Sequence, residues 1–241
     1  MKDSLGDRMK RYESAYNTKL TPRMPVAIRV DGQAFHTFTK NFTRPFSPTI
    51  MGGMKTAALY AAKNMQGFKI GYVQSDEATF VLHDYDSHET QGWFNYEVNK
   101  MVSLSAAYMT GGFNQCIESL ANVHKEFFNV NKIAAFDSRC FNIPKEEVTN
   151  LLLWRAQDWC RNSLQMYARS FFSHSECHCK NAQDLHEMLH GIGKNWTTDL
   201  NSIQKNGTFI VKEEEGLVCY NSILPKYENI AEKVEPLINI E

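Results

Sequence analysis

The sequence predicts an α+β protein whose first 144 residues follow the β-α-β-β-α-β order of a ferredoxin-like fold. Three observations support this prediction. Short apolar runs rich in β-branched residues alternate with longer segments of helical periodicity. Two of the short runs are joined by a tight turn, which indicates a hairpin. A proline closes the fourth run, and a long helical segment begins directly after it.

The composition fits a globular chain with a sizeable core. The 241 residues are 43% hydrophobic and 22% charged. The chain opens without a signal-peptide pattern and holds no apolar stretch long enough to cross a bilayer, so we expect a cytoplasmic protein with no membrane contact. A net charge of −1 means that any nucleic-acid contact must come from local basic patches.

The first predicted elements are a helix, a strand and a second helix. Residues 1–16 place apolar side chains on one side of an amphipathic helix. Residues 25–30 are apolar and β-branched, which predicts a strand that ends at Asp31. Residues 48–66 carry methionine and alanine at helical spacing, although a glycine pair weakens the first turns.

Two strands, a helix and a fourth strand follow. Residues 69–73 and 78–82 are short apolar runs joined by a tight turn. Residues 91–109 predict a second crossover helix, with Phe94 on its apolar face. Residues 134–143 predict the fourth strand.

Residues 145–241 are predicted to form an appendage packed on the first unit, although a single compact unit is also compatible with the pattern. A long helix is expected over 145–169 and a shorter one over 182–190. Residues 208–211 and 217–220 are expected to form a hairpin around a glutamate run.

Two acidic spots lie at the ends of predicted strands. Asp31 follows the first strand, and Asp76 and Glu77 precede the third. In a ferredoxin-like sheet the first and third strands are adjacent and antiparallel, so the end of one lies beside the start of the other. The two spots are therefore expected to meet at one sheet edge, where converging carboxylates require a cation. Two Mg²⁺ ions and chemistry on phosphates fit this arrangement.

Either acidic spot alone indicates a solvated turn, because Asp-Gly is a common turn sequence. Their expected meeting is what favours a metal site. Gly32 would then let the backbone approach a triphosphate closely. The turn from Gln33 to His36 would offer backbone N–H groups to the phosphates.

Two other patterns suggest zinc but carry less weight. Residues His186 to His190 fit H-E-x-x-H, with both histidines on one helix face, but no third ligand follows at the offset that a metzincin needs. The run Cys177-His178-Cys179, near His174, has no second matching knuckle. For both patterns an ordinary polar surface is the favoured interpretation.

Two longer strings resemble the metal motifs of the tRNA(His) guanylyltransferase superfamily. These are Arg29-Val30-Asp31-Gly32-Gln33-Ala34-Phe35-His36-Thr37-Phe38 and Gln74-Ser75-Asp76-Glu77. Phe136 to Arg139, Pro144 to Glu147 and Trp154 to Asp158 also fall in the expected order, so the likeness covers most of the chain. The resemblance implies a palm like that of polymerases and adenylyl cyclases in residues 1–144. It also implies a homotetrameric nucleotidyltransferase that extends the 5′ end of RNA in the 3′→5′ direction.

The resemblance further implies roles for individual residues. Asp31, the backbone carbonyl of Gly32, and Asp76 correspond to the family's metal ligands, with Glu77 an essential catalytic neighbour. The implied nucleotide-binding residues are Asp31, Gly32, Gln33, Ala34, Phe35, His36, Ser75 and Asp76. The positions that resemble phosphate or RNA contacts are Arg29, Arg44, Lys100 and Asn162. For Lys100, an exposed charge on the second crossover helix is an equally good interpretation.

One departure from the family pattern bears on the substrate. Strict guanylyltransferases carry His-Ile-Asn-Asn-Leu-Tyr-Asn-Thr where this chain has Cys160-Arg161-Asn162-Ser163-Leu164-Gln165-Met166-Tyr167. The histidine is lost, and the remaining form resembles the guanylyltransferase-like branch, whose members repair truncated tRNAs. The implied function is template-dependent nucleotide addition to the 5′ end of tRNA, with two Mg²⁺ ions and with ATP or GTP activating that end.

Three alternatives remain open from the sequence. A strict tRNA(His) guanylyltransferase is the nearest. A nucleotide cyclase would use the same palm for an intramolecular attack by the 3′-hydroxyl, without RNA. A non-catalytic RNA-binding module shares the element order but would carry aromatic residues on its central strands, where residues 78–82 offer only Phe80.

Overall fold

Six antiparallel strands form one sheet in the computed structural model, which describes residues 3–239. In chain order the strands are β1 (Val26–Gly32), β2 (Phe68–Gln74), β3 (Glu77–Leu82), β4 (Phe136–Asn142), β5 (Thr208–Glu213) and β6 (Gly216–Tyr220). Their spatial order is β4-β1-β3-β2-β5-β6. The first four strands therefore have the ferredoxin-like order, and the predicted C-terminal hairpin extends the same sheet through pairing of β2 with β5.

Ten α-helices are present among the described residues. They are α1 (Leu5–Ser14), α2 (Phe35–Phe38), α3 (Pro48–Asn64), α4 (Val98–His124), α5 (Val148–Ala168), α6 (His174–Cys177), α7 (Ala182–Gly191), α8 (Trp196–Asp199), α9 (Ser202–Asn206) and α10 (Tyr227–Ile238). Between residues 3 and 239, no helix has the length and apolar character that crossing a membrane requires.

The two faces of the sheet are covered by different helices. On one face, alternate β1 residues such as Ile28 and Val30 pack with α3 and α4. On the other face, Tyr72 and Val81 pack with α5, α7 and α10. Because side chains alternate along a strand, Asp31 lies on the α5 side of β1. The end of the sheet that carries Asp31, Asp76 and Glu77, which we call the acidic edge, therefore lies between the sheet and the long helix α5.

The predicted register at the acidic edge is confirmed. Asp31 pairs with Glu77 across β1 and β3, so the C-terminal end of one strand lies beside the start of the other. The predicted hairpin between β2 and β3 is also confirmed, with Gln74 paired to Glu77 across its turn. The division of the chain at residue 144 remains a prediction, since both parts contribute strands to one sheet.

The predicted second crossover helix is wrong at both ends. Val98 and Leu20 make backbone hydrogen bonds that join the 93–98 segment to residues 18–20, and Phe94 lies in a short 3-10 turn with a φ of +48°. The helix then continues through Gly112 to His124. A Cβ at residue 112 would lie 3.0 Å from the Cα of Ala57, so glycine allows close approach of α4 to α3.

The two ends of the chain also differ from prediction. The first helix spans Leu5–Ser14 and none of its residues is buried, while residues 1 and 2 of the prediction lie outside the described range. The C-terminal helix α10 was not predicted, although Ile230, Val234 and Ile238 follow helical spacing and are buried. Its proline and its frequent charges obscure this apolar pattern.

Candidate active site

The acidic edge is built by the ends of three strands. The backbone N–H of Gly32 donates to the carbonyl oxygen of Asp76 at 2.9 Å, which ties the end of β1 to the β2–β3 turn. That turn consists of two residues, Ser75 and Asp76, between the paired Gln74 and Glu77. Ser75 has a left-handed φ of +46°, a strained backbone conformation for a residue with a side chain. The turn thus presents Asp76 beside Asp31.

Asp76 lies in an environment that disfavours its own charge. Burial raises the pKa of Asp76 above its usual value. A hydrogen bond from Ser75 lowers it, while the negative charges of Asp31 and Glu77 raise it again, and the net direction is upward. A carboxylate held in this way gains from a bound cation.

Glu77 has a different environment from its two acidic neighbours. Arg155 of α5 donates Nε to Glu77 Oε1 at 2.7 Å and Nη2 to Oε2 at 3.0 Å. Arg29 of β1 adds an ion pair from Nη2 to Oε2 at 2.7 Å. Glu77 is 7% exposed. Its carboxylate is therefore neutralised by side chains of the protein itself.

The loop after Asp31 packs tightly on the core. The ring of Phe35 lies against Gly32, such that a Cβ added there would come within 2.3 Å of it. Ala34 has a left-handed φ of +50° just before helix α2. The N–H of Gln33 donates to the carbonyl oxygen of Ala135 at 2.8 Å, so it cannot also contribute to the predicted phosphate-binding turn.

Two cavities meet at the acidic edge and share Ser75, Asp76, Met166 and Arg169. The larger has a volume of about 520 Å³, and its other walls include the predicted site residues Phe35, His36 and Arg44 together with Thr39, Phe42, Thr43 and Ile50. The smaller has a volume of about 270 Å³, and its other walls include the predicted Asp31, Glu77 and Asn162 together with Gln74, Arg155, Trp159 and Gln165. Asp76 thus faces both spaces.

The remaining predicted residues lie beside these cavities or away from them. Gly32, Gln33 and Ala34 form the connecting loop and line neither cavity. Arg29 is engaged by Glu77. Lys100, in the first turn of α4, also lines neither cavity and pairs with Glu97 at 3.2 Å, with 56% of its side chain exposed. The expected phosphate contact of Lys100 remains a prediction.

One face of α5, continued by Arg169 directly after its last residue, supplies residues that were not selected from the sequence. Arg155, Trp159, Met166 and Arg169 line the cavities together with Asn162. Their spacing of three or four residues places them on the same helix face. This periodicity, followed in both directions from Asn162, is the signal that would have identified them.

Glu126 supports the wall of the larger cavity. Its carboxylate accepts hydrogen bonds from Ser47 Oγ at 2.6 Å and from the N–H groups of Thr43 and Thr49 at 2.9 and 3.2 Å. Partial burial alone would raise the pKa of Glu126, but these hydrogen bonds outweigh it and lower the pKa to about 2. The carboxylate therefore caps the N-terminus of α3 and holds the loop that carries Arg44 in place.

We expect Glu126→Gln to lower the free energy of unfolding by about 1 kcal/mol near pH 7, as for loss of a helix N-terminal cap. Because its pKa is depressed in the folded state, ionised Glu126 stabilises the fold above its unfolded pKa, and this contribution is lost as the pH falls toward about 2. Urea unfolding at pH 7 and at pH 3 should show the difference shrinking. Glu118→Gln, at an exposed position of α4, serves as control. A difference that stays constant with pH would contradict this assignment.

The zinc patterns gain no support. His186 packs edge-on against Trp196, with ring centroids 6.0 Å apart. Within residues 3–239, no three histidine, cysteine, aspartate or glutamate side chains converge as a metal-binding group. The acidic edge itself offers two carboxylates besides the neutralised Glu77, a set that suits an ion completed by substrate oxygens.

Comparison with known proteins identifies a family. The family model for tRNAHis guanylyltransferase (Thg1) matches residues 6–144. An uncharacterised protein of Acanthamoeba polyphaga mimivirus is 28% identical over 88% of this chain and 78% of its own length. The tRNA(His) guanylyltransferase of Saccharomyces cerevisiae is 25% identical over 60% of each chain.

Solved structures agree over almost the whole chain. A bacterial tRNA(His) guanylyltransferase-like protein in complex with ATP is 36% identical, with a TM-score of 0.88 over 98% of this chain and 100% of that one. A structure described in the same words but in complex with GTP is 32% identical, with a TM-score of 0.80 over the same shares of the two chains.

Proposed function

The chain belongs to the tRNA(His) guanylyltransferase family of nucleotidyltransferases, and we propose that it extends the 5′ end of tRNA in the 3′→5′ direction, guided by the opposite strand. The observation that carries this proposal is the position of Asp31 and Asp76. They lie at the adjoining ends of two paired strands, and Asp76 faces both cavities. One acidic pair can therefore serve two bound substrates. A homotetramer remains part of the proposal.

The donor atoms at this edge fit magnesium. Asp31, the backbone carbonyl of Gly32, and Asp76 would hold two Mg²⁺ ions, leaving other positions for phosphate oxygens. Bound there, Mg²⁺ would favour deprotonation of an attacking hydroxyl and neutralise charge on the phosphates. The upward pKa direction of Asp76 supports this fit, because a divalent cation would compensate the crowded negative charge.

The larger cavity suits the activating nucleotide. Its volume of about 520 Å³ lies in the range of small-molecule sites. The rings of Phe35 and Phe42, although largely buried, form part of its apolar wall, and Arg44 and Arg169 offer guanidinium groups to a triphosphate. The bacterial relative in complex with ATP supports this use of ATP.

The reaction proceeds in two steps. First, a 5′-monophosphate oxygen of the RNA attacks the α-phosphorus of ATP, and pyrophosphate leaves. The 3′-hydroxyl of an incoming nucleoside triphosphate then attacks the 5′-phosphorus of the RNA, and AMP leaves. An end that already bears a triphosphate omits the first step. The residues of this chain act mainly by holding these groups in line and by offsetting their charge.

The helix α5 supports repair activity over strict guanylate addition. Cys160, where strict enzymes carry histidine, lies away from both cavities and contacts the carbonyl oxygen of Lys205 with its thiol at 3.2 Å. Burial raises the pKa of the Cys160 thiol to about 11, so it stays protonated and unreactive. Asn162, which is retained, lines the smaller cavity. This pattern favours a site that selects the nucleotide by pairing.

The test is an addition assay with a tRNA that lacks its first nucleotide and is labelled at the 5′ phosphate. Each nucleoside triphosphate is offered separately, with ATP and Mg²⁺. We expect addition only of the nucleotide complementary to the opposite base, and we expect the selected nucleotide to change when that base is changed.

Two outcomes would contradict the proposal. Addition of guanylate alone, to tRNA(His) and regardless of the opposite base, would indicate a strict guanylyltransferase. Formation of a cyclic nucleotide from ATP or GTP without any RNA product would indicate a cyclase. A tRNA with an intact 5′ end serves as the control substrate.

A further inference from the structure

We propose that Arg155 is a positioning residue for the transfer reaction, and that Glu77 acts through it as an anchor for the acidic turn. The inference rests on the proposed function of the same edge. Nothing in the two metal motifs singles out Arg155, which lies 78 residues from Glu77. The orientation of Asp76 matters most at this edge, because Asp76 lines both cavities whereas Asp31 and Glu77 line the smaller one.

Glu77, Arg155 and Arg29 form a set of ionic contacts that we call the clamp, in which Glu77 and Arg155 are buried. Arg155 is 5% exposed and forks onto both oxygens of Glu77 at 2.7 and 3.0 Å. Arg29 approaches the same carboxylate from β1 at 2.7 Å. Two N–H donors of Arg155 and the ion pair with Arg29 thus engage both carboxylate oxygens of Glu77, so Glu77 is committed to these arginines and not to a substrate or an ion. Bidentate arginine–carboxylate contacts of this kind fix the orientation of the carboxylate and also neutralise its charge.

Trp154 covers this clamp. Its ring lies 4.5 Å from the guanidinium carbon of Arg155 and 5.7 Å from that of Arg29. An arginine over a tryptophan ring gains a cation–π attraction, which strengthens as water is excluded. The side chain is 50% exposed, so it forms the outer surface of the clamp. This cover restrains both guanidinium groups in the orientation that Glu77 needs.

The clamp determines where Asp76 points. Asp76 is the last residue of a two-residue turn, and Glu77 immediately follows it as the first residue of β3. The turn carries a strained φ at Ser75, a conformation that persists only when its surroundings hold it. Holding the Glu77 side chain against α5 fixes one end of the turn. The hydrogen bond from the N–H of Gly32 to the carbonyl oxygen of Asp76 also ties the turn to β1.

The same clamp ties the acidic edge to the cavity-lining face of α5. Arg155 also donates to Asp158 Oδ2 at 3.1 Å, and Asp158 accepts from Arg161 at 3.0 Å on its other oxygen. Asn162 lies further along this helix, Arg169 directly follows its last residue, and both line the cavities. Loss of Arg155 would therefore uncouple the carboxylates from the helix that faces the substrates. Arg161 pairs with Asp158 at the outer end of this series of ion pairs, and 62% of its side chain is exposed.

The experiment uses the full chain and four variants, Arg155→Met, Arg155→Lys, Glu77→Gln and the double variant Glu77→Gln/Arg155→Met, with Arg161→Met as the matched control. The first measurement is the Kd of Mn²⁺, followed by electron paramagnetic resonance without nucleotide or RNA. The second is kcat and the KM for ATP in the adenylylation of a 5′-monophosphorylated tRNA. Near-ultraviolet circular dichroism confirms that each variant is folded at the assay temperature.

We expect Arg155→Met to raise the Kd of Mn²⁺ and to lower kcat, each by about 10- to 100-fold, as when a residue that fixes the orientation of metal ligands is lost. The KM for ATP should stay within about threefold, because the larger cavity is not lined by Arg155. The double variant should be no worse than its more damaged single variant, since both break one contact. Arg155→Lys should recover part of the loss, and Arg161→Met should resemble the wild type.

Unchanged Mn²⁺ affinity and kcat in folded Arg155→Met would overturn the proposal, as would independent, multiplicative losses in the double variant. If Arg155→Met does not fold, the same comparison is made with Arg155→Lys, which keeps the charge but loses the fork; wild-type values there would likewise overturn it. Failure of the proposed function has a different signature. In that case the wild type adds no nucleotide, while the Mn²⁺ comparison still decides whether Arg155 positions the acidic turn.

Discussion

Asp76→Asn is expected to abolish both transfer steps, with kcat falling by about 10³-fold or more, because the charge that holds a catalytic cation is worth several kcal/mol in the transition state. Asparagine keeps the shape of the side chain and its place in the turn. Burial raises the pKa of Asp76, so the wild-type charge is itself a cost to folding. We therefore expect the free energy of unfolding to stay the same or to rise slightly.

The measurements are single-turnover adenylylation, nucleotide addition to a 5′-triphosphorylated truncated tRNA, and urea unfolding. The control is Asp86→Asn, the same change in an exposed residue beyond the opposite end of β3, where Asp86 pairs with Lys69. Its activity should stay within about threefold of the wild type. If nucleotide addition in Asp76→Asn persisted at the control's rate, the assignment of the acidic edge as the catalytic site would be wrong.

The acidic edge could be predicted because it depends on local signals and one topological rule. Each strand is marked by its own apolar residues, and the ends at Asp31 and Asp76 follow from where those runs stop. The ferredoxin-like order then fixes which strands are neighbours, and the register of Asp31 with Glu77 follows. No side-chain contact had to be known in advance.

The role of Glu77 could not be predicted in this way. The family resemblance separates Glu77 from the metal ligands Asp31 and Asp76, but residue type and spacing do not indicate what Glu77 contacts. The distinct environment of Glu77 depends on Arg155, which lies 78 residues later in the chain, on helix α5. Such a contact depends on the packing of α5 against the sheet, which periodicity indicates only as a buried face. Arg169 differs in this respect, because helical spacing from Asn162 would have indicated that it lies on the cavity-lining face.

The boundaries of α4 show a second limit of the sequence. Local pattern favoured a helix start near residue 91, but the segment that carries Tyr96 hydrogen-bonds to residues 18–20 instead. The predicted helix ended at residue 109, whereas the helix continues through Gly112, which permits tight packing of α4 on α3. In both cases a tertiary contact outweighs local propensity.

Gly32→Ala is expected to damage both stability and activity, although it adds a single methyl group. The new Cβ would come within 2.3 Å of the Phe35 ring, far inside van der Waals contact. That ring is 3% exposed, and its centroid lies 5.2 to 5.4 Å from the rings of Phe38, Phe113 and Phe136. The ring cannot turn away, so the end of β1 or helix α2 must shift.

We expect the free energy of unfolding to fall by about 1 to 3 kcal/mol, as in other overpacked cores. Activity should fall by about 10²-fold, because a shift of about 1 Å at the end of β1 displaces Asp31 from its productive position. Gly111→Ala is the matched control, since nothing lies within 4 Å of the added Cβ at this exposed position of α4. There the change should stabilise the chain by about 0.5 to 1 kcal/mol through helix propensity and leave activity unchanged.

A double variant separates crowding from any direct requirement for glycine beside the substrate. Phe35→Leu removes the ring that the new methyl group would strike, so Gly32→Ala/Phe35→Leu should unfold less readily than expected from the sum of the two single changes. Because Phe35 lines the larger cavity, activity is compared with that of Phe35→Leu alone. If activity recovers to that level together with stability, the effect of Gly32→Ala arises from displacement of Asp31. If stability recovers and activity stays below that level, the backbone of residue 32 must itself approach a substrate closely. Equal losses in stability and activity for Gly32→Ala and Gly111→Ala would contradict the packing argument altogether.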